Sequence, residues 1–120
     1  MTLELRGAVP QALAKRFGGM CRPVISQVTV GVASTAIVLA NMDRVALSMH
    51  NFGANDVILS FVPGVTLTRG ILLRATIGFV SFDIYEDTIL PAWEWFGISA
   101  LANEITVVET LREVAHGGEI

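Results

Sequence analysis

Apolar and polar residues alternate in short runs along most of this 120-residue chain, and turn-forming residues separate the runs. In one run, Val45, Leu47 and Met49 alternate with small or polar residues. A period of two places every second side chain on the same face, which is the pattern of a half-buried β-strand. Roughly eight such runs follow one another at intervals of about 8–12 residues. This spacing predicts an all-β fold, specifically an antiparallel β-sandwich of jelly-roll-like arrangement.

The segment Asn51–Asp56, with the sequence NFGAND, is the strongest turn signal in the chain. Asparagine, aspartate and glycine tolerate positive φ angles, so this segment predicts a tight turn. The runs 45–50 and 57–62 on either side of it are predicted to pair as a β-hairpin. In a later run, the alternation predicts that Phe96 and Ile98 face the core.

The stretch Pro23–Met42 contains no charged residue and is long enough to cross a bilayer as a helix. Polar residues are scattered through it, however, and Val28 and Val30 alternate with polar or small residues. These features favour two strands, with a break at Ser34 and Thr35 and a second strand over Ala36–Ala40, over a membrane helix, so no membrane association is expected. At the start of the sequence, Met1–Gly7 lacks the apolar core of a secretion signal.

Composition limits the class of protein further. Hydrophobic residues make up 52% of the chain and charged residues only 16%. Such a chain can bury enough apolar surface to fold, and its length suits one domain. The apolar excess predicts that other chains cover part of the surface, while a net charge of −3 disfavours nucleic acid as a partner. Cys21 is the single cysteine, so these 120 residues cannot form an intrachain disulfide.

Charge divides the chain into a basic beginning and an acidic remainder. Residues 1–23 carry four basic residues and one acidic residue, a net charge of +3, and the remaining residues carry −6. We therefore predict a basic N-terminal arm over 1–23, a sandwich domain over 24–113 and a flexible tail over 114–120. Within the arm, Pro10–Phe17 is predicted to form a short helix. Two interpretations of the arm stay open: a disordered leader, and a segment that becomes ordered on a neighbouring subunit.

The motifs of enzyme active sites are missing from the sequence. There is no phosphate-binding glycine loop, no nucleophile elbow and no set of Cys and His residues with metal-ligand spacing, so we expect no catalytic residue, cofactor or metal. Asp83, Glu86 and Asp87 form the densest group of carboxylates, but they lack the spacing of an EF-hand calcium loop. Solvated carboxylates at the end of a strand are the simpler interpretation.

Two tryptophans of the same parity, Trp93 and Trp95, leave three interpretations open. One of them fills the end of the sandwich, or they anchor a partner chain, or they form a platform on which a sugar stacks. The candidate partner-binding residues are therefore this pair and the charged and aromatic residues of the arm, namely Arg6, Lys15, Arg16, Phe17, Arg22, Trp93 and Trp95.

The stretch Asn51–Leu73 (NFGANDVILSFVPGVTLTRGILL) resembles small β-sandwich virion proteins of tailed bacteriophages. The later stretch Glu94–Ala100 (EWFGISA), followed by the VVE of residues 107–109, adds to the likeness. Proteins of this type show an N-x-G-x-N turn, a GVT segment, a G-I-x-L strand, an aromatic strand and a final V-x-E strand. The likeness covers roughly residues 28–111. The basic arm has no counterpart in this pattern.

The resemblance implies a structural virion protein without catalytic residues, made in the host cytoplasm. Such families include capsid decoration (cement) proteins, head-fibre bases and tail-associated proteins. The first of these implies a protein on the outer capsid surface that binds the major capsid protein and stabilises neighbouring capsid subunits, as a homo-oligomer and often a trimer. The alternative is a tail or head-fibre component that binds host glycans through the acidic and aromatic loop Glu86–Phe96.

Overall fold

A computed structural model describes residues 20–113 as eight β-strands in two antiparallel four-stranded sheets. The strands are β1 (Cys21–Val30), β2 (Thr35–Val38), β3 (Arg44–Asn51), β4 (Val57–Ser60), β5 (Ile71–Leu73), β6 (Gly78–Asp83), β7 (Trp95–Ser99) and β8 (Asn103–Arg112). One short 3-10 helix, Leu90–Ala92, precedes β7.

The strand order confirms the predicted fold class. One sheet, called sheet A, has the order β1-β8-β3-β6, and the other, sheet B, has the order β2-β7-β4-β5. This is the arrangement of an eight-stranded jelly roll, in which the two sheets pack face to face. Every connection except the one between β4 and β5 passes from one sheet to the other.

The uncharged stretch Pro23–Met42 forms β-structure, as its alternation predicts. It contains most of β1, a short connection and all of β2. In the described part of the chain, no helix is long and apolar enough to cross a membrane.

The first strand begins three residues before the predicted domain boundary at residue 24. Cys21, Arg22 and Pro23 pair with the last residues of β8, so they belong to sheet A and not to the arm. The rest of the predicted arm, including its short helix, and the predicted tail 114–120 lie outside the described residues.

The predicted hairpin between β3 and β4 is wrong, because the two strands lie in different sheets. No residue of the Asn51–Asp56 segment has a positive φ angle. The segment instead bends through hydrogen bonds of the Asn51 side chain. Its Nδ2 donates to the carbonyl oxygens of Asn55 (2.8 Å) and Leu73 (3.0 Å), and its Oδ1 accepts the Gly53 N–H (3.0 Å). The polar residues of NFGAND therefore guide the chain from sheet A to sheet B.

The core lies between the two sheets and is built from the inward side chains of both. Its fully or almost fully buried members are Val30, Ile37, Val38, Leu47, Met49, Val57, Leu59, Leu73, Trp95, Ile105 and Val107. Trp95 stacks on Phe82 of the facing sheet, with ring centroids 4.9 Å apart. The Trp95 ring thus lies between the two sheets and contacts both of them.

The inward and outward faces of β7 are the reverse of the prediction. Trp95, Gly97 and Ser99 are buried, whereas Phe96 and Ile98 lie on the outer side of sheet B. The large Trp95 ring needs the space between the sheets. Gly97 on the same side leaves room for Ile37, whose Cδ1 would lie 2.7 Å from a Cβ at position 97.

Substitution of Gly53 by alanine tests the crossing between the sheets. A Cβ at this position would overlap the side-chain amide of Asn103, which is buried and donates to Asn51 Oδ1 over 2.9 Å. Because this amide is fixed by its partner, we expect Gly53→Ala to lower the free energy of unfolding by about 1–3 kcal/mol. Gly31→Ala is the matched control, since a Cβ there meets only ordinary contacts. Equal stability of the two variants in urea denaturation would contradict the prediction.

Candidate interaction surface

The outer side of sheet B carries apolar side chains on all four of its strands. Cross-strand pairing places Ile58 beside both Leu72 and Ile98, and places Phe96 beside both Ser60 and Ala36. Leu67, in the connection between β4 and β5, is exposed over 52% of its surface, and Leu72 over 50%. We call this surface the apolar face. It consists of Ala36, Ile58, Leu67, Leu72, Phe96 and Ile98.

The apolar face is unusual because its strands are apolar on both sides. In an antiparallel sandwich the solvent side of a strand normally carries polar residues. In β4 the inward side has Val57 and Leu59, and the outward side has Ile58 followed by Ser60. In β7 both outward residues, Phe96 and Ile98, are apolar. Leu67 and Leu72 are exposed, whereas Ile58, Phe96 and Ile98 are half-buried. An apolar patch that stays in part accessible to solvent is typical of a surface that binds other molecules.

A groove of about 490 Å³ lies at one end of the apolar face. It is lined by Ala54, Asn55, Asp56, Ile58, Leu67, Leu72 and Ala100. Asp56 is the charged member of this lining. Its side chain is held in place because Oδ1 accepts the Ala75 N–H over 2.7 Å. The groove therefore combines apolar walls with one fixed carboxylate.

The groove and the start of the described chain lie at opposite ends of the sandwich. In sheet A, β1 begins beside the last residues of β8 and ends at Val30, beside Asn103. In sheet B, Val57 at the groove end pairs with Ser99, whose N–H donates to the Gly31 carbonyl just after β1. The ten residues of β1 separate the two ends by about 30 Å.

The outer side of sheet A differs from the apolar face. Its best-defined feature is a stack of rings in which His50 lies between Phe52 and Phe79, with centroid distances of 5.9 Å and 5.1 Å. Ile25 on β1 is also exposed. Ser48 and Ser81 lie beside one another in the middle of this side, so its apolar residues are interrupted.

The two tryptophans that were predicted to bind a partner have different environments. Trp95 has no exposed surface, and its Nε1 donates to the Leu90 carbonyl over 3.0 Å. The prediction that Trp95 binds a partner is therefore wrong, because its side chain fills the core. Trp93 is 43% exposed, and its Nε1 donates to the Phe61 carbonyl over 3.0 Å. A sugar platform built from both rings is excluded by the burial of Trp95.

The other predicted partner-binding residues are only partly described. Arg22 is exposed on β1, as a partner-binding residue would have to be. Arg6, Lys15, Arg16 and Phe17 lie outside the described residues, and their assignment stays a prediction.

The carboxylates of the 83–87 segment stabilise its turn. Asp83 Oδ1 accepts the N–H groups of Tyr85 and Glu86, and Asp87 Oδ2 accepts the Asp83 N–H. Across residues 20–113, no group of three or more His, Cys, Asp or Glu side chains is arranged to hold a metal ion.

Cys21 is half-buried at the start of β1. Burial raises the pKa of its thiol, and the neighbouring Arg112 charge opposes this shift. A raised pKa keeps the sulfur protonated near neutral pH, and the protonated form is a poor nucleophile.

Arg44 is a buried residue that the sequence analysis did not identify. It is 2% exposed, and its Nε donates to Glu109 Oε2 over 2.9 Å. Its Nη1 donates to the carbonyls of Pro91 and Trp93, both at 3.1 Å, and its Nη2 donates to the Leu39 carbonyl at 2.6 Å. The guanidinium thus joins the end of β2, the segment before β7 and strand β8.

A β-bulge explains why the strand pattern did not predict this burial. The register of β3 against β8 shifts between Arg44 and Ala46, so Arg44 and Val45 are both buried. Strict alternation would place adjacent residues on opposite sides. The sequence signal was a charged residue directly before a strong apolar alternation.

Comparisons with known proteins found a match among solved structures. No protein-family model matches the chain, and no curated protein matches it. One solved structure, described as Bacillus endospore appendages that form a novel family of disulfide-linked pili, aligns with a TM-score of 0.44 and 14% sequence identity. The alignment covers 79% of this chain and 88% of that chain. A similarity at this level does not establish shared function.

Proposed function

We propose that this chain is a structural protein that acts by assembling with other protein chains, and that it is a capsid decoration protein of a tailed bacteriophage. The observation that carries the proposal is the apolar face on the outer side of sheet B. The jelly-roll sandwich and the resemblance of Asn51–Leu73 to small phage virion proteins support the same interpretation.

The proposed mechanism is mechanical. Burial of apolar surface contributes about 25 cal/mol per Å², from which the loss of translational and side-chain freedom must be subtracted. A sandwich seated by its apolar face on a shell would contact more than one shell subunit and resist their separation. The major capsid protein is the proposed partner, and a homo-oligomer on the outer capsid surface is the proposed state.

Two apolar-to-polar substitutions in β7 test the role of the apolar face. The double variant Phe96→Thr/Ile98→Thr keeps residues that suit a strand but removes the two largest outward side chains of β7. We expect its binding to purified empty capsids to weaken by roughly tenfold or more, because truncating a central contact costs about 1–2 kcal/mol. Binding is measured by co-sedimentation with capsids of the phage that encodes the chain.

The matched control is the double variant Ile25→Thr/Phe79→Thr. It removes one isoleucine and one phenylalanine from strands on the outer side of sheet A. This control is expected to bind capsids as the unmodified chain does, and both variants should keep the circular dichroism of the folded sandwich. Undiminished binding by the Phe96→Thr/Ile98→Thr variant would exclude the apolar face. Absence of binding by the unmodified chain would exclude the capsid assignment.

A further inference from the structure

Strand β1 is the longest edge strand in the described part of the chain. It forms one edge of sheet A and has ten residues, whereas the other edge strands, β2, β5 and β6, have four, three and six. Its register against β8 is unbroken, so no bulge distorts the edge. A long and regular edge accepts a further strand, and proteins normally protect such edges by charges, bulges or short length.

No charge protects the middle of β1. Arg22 lies near the start of the strand, and the eight residues Pro23–Val30 are uncharged. The opposite edge of sheet A is closed at the end of β6, because the Asp83 N–H donates to Asp87 Oδ2 and the Asp83 carbonyl accepts the Asp87 N–H. Strand addition to sheet A is therefore more favourable at β1 than at β6.

Every second residue of β1 points its backbone groups away from β8. The Met20 carbonyl accepts the Glu113 N–H, and these two residues continue the register of the β1–β8 ladder. Hydrogen-bonded and non-hydrogen-bonded pairs alternate in such a ladder, so the even-numbered residues of β1 bond to β8 and the odd-numbered residues face the open edge. Ile25, Gln27 and Thr29 therefore present their N–H and carbonyl groups at this edge. In the described part of the chain, no other strand pairs with it.

The open segment ends at equal distances on the two sides of Gln27. Pro23, four residues before it, has no N–H to donate. Gly31, four residues after it, donates its N–H to Thr35 Oγ1 over 3.1 Å, and its carbonyl accepts the Ser99 N–H over 3.0 Å. An antiparallel strand related to β1 by a two-fold axis at Gln27 would place Pro23 opposite Gly31. Pairing would thus stop at the two positions where no N–H is available.

We propose that β1 of one copy pairs with β1 of a second copy, antiparallel about a two-fold axis at Gln27. Ile25 of each copy then lies opposite Thr29 of the other, and the two Gln27 side chains lie opposite one another. An amide side chain is both donor and acceptor, so it can bond to its own counterpart. The uncharged stretch brings no like charges together, as a contact between identical strands requires. The symmetry about Gln27 selects a second copy, because a strand from a different protein would not need it.

This inference rests on the proposed function in one respect, since it names the contact of the proposed homo-oligomer. A two-fold contact closes after two copies, so it gives a dimer and not the trimer that the resemblance implies. The apolar face lies on sheet B and stays accessible to another partner in this dimer.

Disulfide trapping of full-length chains in a Cys21→Ser background tests the register. Gln27→Cys places two cysteines at directly opposed positions, where Cα atoms lie about 5.5 Å apart, a separation that suits a disulfide. Ile25→Cys is the matched control, because residue 25 lies opposite residue 29 and is more than about 13 Å from its own counterpart. After mild oxidation, we expect at least about tenfold more linked dimer from Gln27→Cys than from Ile25→Cys.

A mixture of Ile25→Cys and Thr29→Cys chains should also link, although neither chain links to itself. Mass spectrometry of the linked peptides identifies each pair. Equal linkage by Gln27→Cys and Ile25→Cys, or no linkage by Gln27→Cys, would overturn the proposal.

Charge substitution tests the same axis without cysteines. Gln27→Lys and Gln27→Glu should each weaken the dimer at least about tenfold in light scattering, because like charges meet across the axis, and an equimolar mixture should restore it. Ser81→Lys, at an exposed position of β6, is the control and should leave the dimer unchanged. A monomeric unmodified chain would overturn the proposal. If that monomer still binds capsids through the apolar face, the capsid assignment stands without this contact, whereas a dimer that does not bind capsids supports the contact and refutes the capsid assignment.

Discussion

Replacement of Arg44 by methionine is expected to lower the free energy of unfolding by about 3–5 kcal/mol. The substitution leaves Glu109, whose side chain is only 17% exposed, without its cationic partner. It also removes the donor for three backbone carbonyls, those of Leu39, Pro91 and Trp93. A buried charge without a partner is more costly than the pair itself is stabilising, so the loss should exceed that of an ordinary surface ion pair. Urea denaturation followed by circular dichroism gives the measurement.

Two further variants identify the cause of this loss. Arg69→Met removes an exposed arginine from a turn and should change the free energy of unfolding by about 0.5 kcal/mol or less. The double variant Arg44→Met/Glu109→Leu removes both charges and should recover part of the stability lost by Arg44→Met. If the double variant is less stable than Arg44→Met, the unpaired Glu109 carboxylate is not the main cause.

The strands of this fold could be predicted because burial on one side imposes a visible period of two. Val45, Leu47 and Met49 are all buried, as their alternation predicts. Strand positions and the all-β class follow from this local signal, which needs no knowledge of the pairing partner. The number and spacing of the strands predicted a sandwich of jelly-roll-like arrangement, although they do not determine which strands pair.

The connections between strands could not be predicted in the same way. A five-residue connection between two strands suits either a hairpin or a crossing between sheets, and the local sequence does not distinguish them. The crossing at Asn51 depends on a hydrogen bond with Asn103, which lies 52 residues later in the sequence. A contact between residues so far apart in the sequence does not produce a periodic pattern in the local sequence.

The apolar face could not be predicted from the sequence for a related reason. In β7, Trp95 on one side and Phe96 and Ile98 on the other side are all large and apolar. Neither side is therefore marked by the sequence as the one that faces solvent. The informative residues were the small ones. Gly97 and Ser99 share the parity of Trp95, and small residues beside a bulky ring are what a crowded core requires. When a strand is apolar on both sides, alternation alone cannot show which side faces the core.

Replacement of Trp95 by alanine is the second large effect, expected to lower the free energy of unfolding by about 3–5 kcal/mol. The ring is fully buried, stacks on Phe82 and meets Phe61 edge-on at 5.7 Å. Its removal would leave a cavity between the two sheets, and the Leu90 carbonyl would lose one donor while keeping the Trp93 N–H. Thermal and urea denaturation both measure the change.

Trp93→Ala is the matched control for Trp95, because it removes the same side chain two residues earlier. Trp93 is 43% exposed and makes one hydrogen bond to the Phe61 carbonyl, so its loss should change the free energy of unfolding by about 1 kcal/mol. Comparable losses in the two variants would contradict the assignment of Trp95 to the core.

The difference in stability between the two variants also determines how binding data are interpreted. A weakened capsid or glycan interaction in Trp95→Ala would reflect a damaged sandwich, whereas the same result in Trp93→Ala, with stability retained, would identify Trp93 as a contact residue.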